Sequence, residues 1–128
     1  MNFPVCYLLG DVVFSRNAIR TIVETETYDI QLFASKPPFH GNYCKKWAEP
    51  FALKVVNTEH LKRAISLTKQ YEDWGLFKRK AIMWELWQVI QGAPLNWIDF
   101  NSYEAINDYT CDIDDPKDLE TIEELVYD

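Results

Sequence analysis

Glycine is scarce in this sequence, and Gly10, Gly41, Gly75 and Gly92 never fall into a G-x-G. That excludes the glycine-rich loop whose backbone N–H groups wrap nucleotide phosphates. The three cysteines, Cys6, Cys44 and Cys111, are odd in number, widely spaced and without a C-x-x-C pair. Neither a disulfide framework nor a zinc site is expected from them, and all three read as reduced thiols. Basic residues are outnumbered, 13 Lys and Arg against 20 Asp and Glu, for a net charge of -7. Such a balance speaks against nucleic-acid binding, which draws most of its affinity from cations set against backbone phosphates. No apolar run approaches the ~20 residues of a membrane span, and the start has no basic n-region of a signal peptide. No membrane association is expected, and the cytoplasm is the default compartment. His40 and His60 have no nucleophile beside them in a triad arrangement and read as structural residues.

The 128 residues that remain to be explained are 48% hydrophobic and include five Trp, which fits one folded domain with a packed interior. PVCYLL (4–9) is a nearly continuous apolar run closed by Gly10-Asp11, the pattern of a strand buried on both faces and hence of a central strand in an α/β sheet. Ser15 stands where a helix N-cap would stand, before Ala18, Ile19, Ile22 and Val23 at helical spacing, which predicts a helix over 15–25. Strands are expected at 29–35 and 51–56, on either side of a loop marked by Pro37-Pro38 and Gly41-Asn42. Asn57-Thr58 then caps a helix over 58–73, with Leu61, Ala64, Ile65, Leu67 and Thr68 in one stripe. A further helix is predicted over 77–91, with Ile82, Leu86, Val89 and Ile90 on one side and Trp84 and Trp87 beside them, ended by Gly92 and Pro94. Lys78-Arg79-Lys80 would stand at the N-terminus of that helix, where the macrodipole disfavours cations. NWIDFNSYEAIND carries no readable period, YTCDI reads as a short strand, and a last helix is predicted over 116–126. The expected architecture is α/β, a sheet with helices packed against it.

CDIDDPKDLE (111–120) holds more carboxylates than a helix start requires. Asp115 as cap and Asp118 in the first turn account for two, leaving Asp112 and Asp114 on an extended segment, two apart and so on one side of it. Asp11 ends an apolar strand, at the edge where open α/β sheets collect their ligands. Three carboxylates converging there would repel one another unless a cation or proton relieved them. Oxygen-only ligands suit Mg²⁺ or Mn²⁺, and Mg²⁺ commonly takes one or two carboxylates together with substrate phosphates. The alternative is that all three are solvated turn carboxylates.

LLGDVVF (8–14) followed by a helix, FALKVVNTEHLKRAI (51–65) and DYTCDIDDPKDLE (108–120) together resemble the later half of the nucleotidyltransferases that activate sugars and acid sugars. The resemblance implies a three-layer αβα sandwich, Rossmann-like, around a mostly parallel or mixed sheet. It assigns metal binding to Asp11, from the Gly-Asp pair, and to Asp114, from the D-I-D segment, with Asp112 as a third candidate. Lys36, before Pro37, echoes a basic residue that contacts substrate phosphate in sugar-activating relatives. Glu49, just ahead of a strand, is a candidate for a sugar hydroxyl, although a loop Glu beside Pro50 needs no such role. In that family a glycine-rich, Arg-containing loop and base-recognising elements precede the Gly-Asp strand, whereas here the pair stands at residues 10 and 11. The nucleotide-binding half is therefore expected from a second chain or an upstream segment, and the 128 residues alone are expected to be inactive. The rival expectation is a non-catalytic interaction protein that retains part of an enzyme fold.

Overall fold

The structure, a computed structural model, describes residues 3–35, 49–94, 103–106, 110–112, 116 and 120, with the backbone alone at 111 and 112. In chain order the elements are β1 (Val5–Leu8), β2 (Val12–Val13), α1 (Arg16–Glu24), β3 (Ile30–Ser35), β4 (Pro50–Val55), α2 (Thr58–Asp73), α3 (Met83–Gln91), β5 (Glu104–Ile106) and β6 (Cys111–Asp112). The chain is thus mixed α/β. Its main sheet has the order β1-β4-β3-β5, and β2 and β6 form a separate two-stranded ladder. β4 is antiparallel to both β1 and β3, and β5 is parallel to β3. It follows that β1, β3 and β5 run one way and β4 alone runs back.

Strand periodicity divides the interior in two. On one face Ile30, Leu32, Ala34, Leu53 and Val55 meet Leu61 and Ala64 of α2 and Trp84, Trp87 and Ile90 of α3. On the other, Phe33, Phe51, Ala52 and Ile106 meet Ala18 and Ile22 of α1, with Val12 and Phe14 alongside. The register shifts after Phe33, from Phe33 opposite Ala52 to Ala34 opposite Pro50, which leaves Phe51 as an extra residue. This bulge turns Phe51 toward the α1 face together with its neighbour Ala52. Phe51 fills the space there and meets Phe14 edge-on at 6.4 Å.

Capping explains most helix boundaries. Ser15 Oγ accepts from the Ala18 N–H at 2.9 Å, and Asn57 Oδ1 accepts from the His60 N–H at 3.1 Å. Both satisfy a first-turn donor that the helix itself leaves open. α2 and α3 each run out into a glycine of positive φ, Gly75 (72°) and Gly92 (69°), a conformation that costs other residues a clash at Cβ. The next N–H then turns back in each case, Leu76 to the Tyr71 carbonyl and Ala93 to the Gln88 carbonyl, both at 3.0 Å.

Two expectations are corrected. PVCYLL does not form a central strand: among the described residues β1 is the outermost strand of its sheet, and all four of its residues are exposed. An apolar run reports that both faces want cover, without reporting whether cover exists. The helix expected from residue 77 begins at Met83 instead, because the reversal at Gly75 is followed by a non-helical stretch. Lys78-Arg79-Lys80 therefore lies ahead of the helix, and Arg79 Nε donates to both carboxylate oxygens of buried Glu85 at 3.1 and 3.2 Å. Glu85 also reaches back to accept from the Ile82 N–H at 3.4 Å, satisfying the backbone donor of the cap residue. The buried stripe of α3 runs through Trp84, Trp87 and Ile90, while Ile82 is exposed. Pro116 and Glu120 have helical backbone, and the rest of the predicted last helix lies outside the described residues.

Candidate functional site

The carboxyl ends of β1, β3 and β5 and the amino end of β4 share one edge of the sheet, as the strand directions require. Parallel strands collect ligands at that edge, where chain reversals leave backbone and side chains free to converge. Leu9 to Val12 forms a tight turn there, with the Val12 N–H 3.4 Å from the Leu9 carbonyl. Asp11 occupies the turn and is exposed to solvent. The chain passes directly into β2, which pairs antiparallel with β6, Val12 opposite Asp112 and Val13 opposite Cys111. The two acidic segments picked out in the sequence, about a hundred residues apart, are thus joined by a backbone ladder at the end of β1.

A buried polar cluster anchors this ladder to α1. The Ser15 N–H donates to Thr110 Oγ1 at 3.0 Å, and the Thr110 hydroxyl donates to Ser15 Oγ at 3.2 Å. Ser15 Oγ is also the acceptor that caps α1, so one pair of hydroxyls fixes the helix start and the approach to β6 together. Thr110 is fully buried, and sequence reasoning gave it no role. The only signal was its position just ahead of the acidic segment.

Glu49 lies at the same edge. Its N–H donates to Ser35 Oγ at 2.9 Å, and its carbonyl accepts from the Ser35 N–H at 2.9 Å. The Ser35 carbonyl in turn accepts from the Tyr103 hydroxyl at 2.8 Å. Desolvation by burial raises the Tyr103 pKa above its ordinary 10.0, keeping the phenol a neutral donor. The backbone of Glu49 is therefore held firmly, and the ends of β3 and β4 cannot splay at the candidate edge.

Of the sequence-predicted site residues, Asp11, Asp112 and Glu49 fall at this edge, Asp112 by its backbone position in β6. Asp114 and Lys36 lie outside the described residues. Among the described residues, no group of three or more His, Cys, Asp or Glu is placed to hold a metal ion. His60, read as structural, has its Nδ1 2.8 Å from Asp29 Oδ1, far along the chain from the acidic segments. No helix of the described residues is long and apolar enough to cross a membrane. Comparison with protein-family models, with curated proteins and with solved structures finds no match to this chain.

Proposed function

We propose that this chain is the metal- and sugar-phosphate-binding portion of a nucleotidyltransferase, working in the cytoplasm. It would contribute to the reaction of a nucleoside triphosphate with a phosphorylated or acidic sugar, giving a nucleotide sugar and pyrophosphate. The observation that carries the reading is the β2–β6 ladder, which joins the Gly10-Asp11 turn to the strand of Asp112. The placement of α1 against one face of the sheet and of α2 and α3 against the other supports the αβα layering that the reading requires.

The proposed donors Asp11, Asp112 and Asp114 offer carboxylate oxygens, the ligand type that suits a hard divalent cation. Asp11 and Asp114, with Asp112, would hold Mg²⁺ or Mn²⁺, which when bound neutralises charge on a phosphate. The substrate's own oxygen is the nucleophile, so the tasks left to the chain are to bind and orient. Lys36 and Glu49 are the residues assigned to the sugar phosphate. Donors for the triphosphate must come from a second chain or an upstream segment, because these residues include no glycine-rich loop.

A non-catalytic interaction protein is the second reading, and Gly10 favours it. Its φ is not positive and a Cβ built on it would meet nothing within 4 Å, so the described structure places no demand for glycine in the Gly-Asp pair.

A thermal melt separates the two. Millimolar Mg²⁺ or Mn²⁺ raises the melting temperature under the first reading; an ion at roughly ten times its Kd adds about 1.4 kcal/mol. Asp114→Asn abolishes the response. The pure chain, given triphosphate and sugar phosphate, releases no pyrophosphate. Melting temperatures indifferent to both ions would remove the metal site and leave the second reading.

A further inference from the structure

We propose that β1 is a self-complementary docking edge, through which two copies of this chain pair antiparallel about a two-fold axis centred on Cys6. Among the described residues β1 is hydrogen-bonded on one side only, by β4. The Leu9 N–H donates to the Phe51 carbonyl at 3.0 Å, and Leu9 continues the register of Leu8 opposite Ala52. Alternation along an antiparallel strand then turns the backbone groups of Val5, Tyr7 and Leu9 toward β4 and those of Cys6 and Leu8 outward. Pro4 shares the outward parity and brings no N–H. A proline at such a position costs the sheet no internal hydrogen bond.

The side chains along this edge are unusual for one left to solvent. Residues 3–8 carry no charge, where open edges are ordinarily guarded by lysine or another charge. Val5, Tyr7 and Leu8 are 46%, 48% and 47% exposed, and Phe3 is 75% exposed. Val5 and Tyr7 lie opposite Val55 and Leu53, on the α2 and α3 face, whereas Cys6 and Leu8 lie opposite Lys54 and Ala52, on the α1 face.

A second copy centred on Cys6 pairs most of this edge. With Cys6 opposite Cys6 of the second copy, each donates to the other's carbonyl. Leu8 then falls opposite Pro4 of the second copy, so that its N–H meets the Pro4 carbonyl, while the Leu8 carbonyl, facing a residue without an N–H, is left to water. Val5 comes opposite Tyr7 of the second copy, twice by symmetry, the β-branched and aromatic pairing that cross-strand positions favour. Neighbouring Cys6 Cα atoms come within about 5.5 Å. A self-matched edge is what an isologous contact needs, since one patch must complement itself. The contact is short, which places it with weak interfaces. This pairing does not depend on the reaction proposed above.

The test uses the full chain with Cys44→Ser and Cys111→Ser, leaving Cys6 as the only thiol. Sedimentation velocity across concentration should show a monomer–dimer equilibrium, and a short bis-maleimide should link Cys6 to Cys6. Tyr7→Lys should weaken the dimer at least tenfold, and adding Val5→Glu should restore it, because the new carboxylate lies opposite the new ammonium only in this register. Circular dichroism confirms that each variant is folded, and if Tyr7→Lys is not, the sedimentation and cross-linking of the parent chain decide alone. A chain that stays monomeric at several hundred micromolar, or a dimer untouched by folded Tyr7→Lys, overturns the proposal. So does a folded double variant that fails to recover. A monomer whose Cys6 becomes protected only when a different strand-bearing protein is added overturns it in favour of that partner.

Discussion

The two faces of the sheet are held by different physics. Under α2 and α3 the interior is aliphatic with two tryptophans; of its buried polar side chains Glu85 secures the start of α3, Gln88 Nε2 donates to the Pro94 carbonyl, and Thr68 Oγ1 donates to the Ala64 carbonyl within α2 at 2.7 Å. Under α1 the apolar cluster is smaller, and polar groups do structural work through directed bonds. Lys54, although buried, donates from Nζ to the carbonyls of Ile22, Val23 and Thr25 at 2.9, 2.7 and 2.8 Å. A strand lysine thus closes the C-terminal end of α1, where carbonyls lack intrahelical partners and the dipole favours a cation. Ser15 and Thr110 secure the opposite end of the same helix. Directed bonds thus hold both ends of α1, Ser15 with Thr110 beside the candidate edge and Lys54 at the opposite edge of the sheet.

Cutting into each face should expose that difference. Trp87→Ala opens a cavity under α3 and should cost about 3–5 kcal/mol, the largest single effect expected, read by urea denaturation. Lys54→Met keeps most of the side-chain volume while stranding three carbonyls, and should cost about 2–3 kcal/mol. Its distinguishing mark is locality: amide exchange should accelerate in the last turn of α1 more than in α2 or α3. An equal acceleration in all three helices would mean that Lys54 supports the whole sheet and not one helix end.

The sequence was informative where local chemistry decides and silent where neighbours decide. Ser15 and Asn57 as caps, Gly92 as a terminator and the strands at β3 and β4 were legible, because each rests on bonds within a few residues or on a period of two. β1 was misplaced because FALKVV and PVCYLL are equally apolar, and only topology makes β4 interior and β1 an edge. The start of α3 was misplaced because apolar periodicity carries on through Phe77 to Ile82, while Gly75 and the Arg79–Glu85 pair set the boundary. For the candidate site, Asp112 was singled out by the excess of carboxylate in its segment and Asp11 by its place at the end of an apolar run, and the structure puts both segments in one ladder. Thr110 and Tyr103 were not, since a buried hydroxyl is recognised only by a partner far away in the sequence: 95 residues for Thr110 and Ser15, and 68 for Tyr103 and Ser35.

Thr110→Val asks whether the α1 side depends on direction or on bulk. The substitution keeps the shape and deletes the hydroxyl, leaving the Ser15 N–H without the Thr110 acceptor, and should cost about 1–2 kcal/mol in a chemical denaturation series. Exchange of the first-turn amides of α1 should speed up with it. Unchanged stability and exchange would reduce the Ser15–Thr110 pair to a by-product of packing.

The smallest effect is expected at Tyr103, which ties the α2 and α3 cluster to the candidate edge. Its ring packs with the α2 and α3 cluster, 5.7 Å from Trp84, while its hydroxyl donates to Ser35 at the candidate edge. Tyr103→Phe should therefore cost about 1 kcal/mol at neutral pH, the net value of one hydrogen bond. The pH dependence carries more information. Because burial raises the Tyr103 pKa above 10.0, the unfolded chain gives up this proton before the folded one does. The contribution of Tyr103 is complete below pH 10 and is lost as pH climbs through the folded value, so the denaturation midpoint should fall more steeply above pH 10 in the parent chain than in Tyr103→Phe. The two proteins differ only in this hydroxyl, which leaves the difference between the two curves to Tyr103 alone. Parallel curves between pH 9 and pH 11 would show that folding does not protect the Tyr103 phenol from losing its proton.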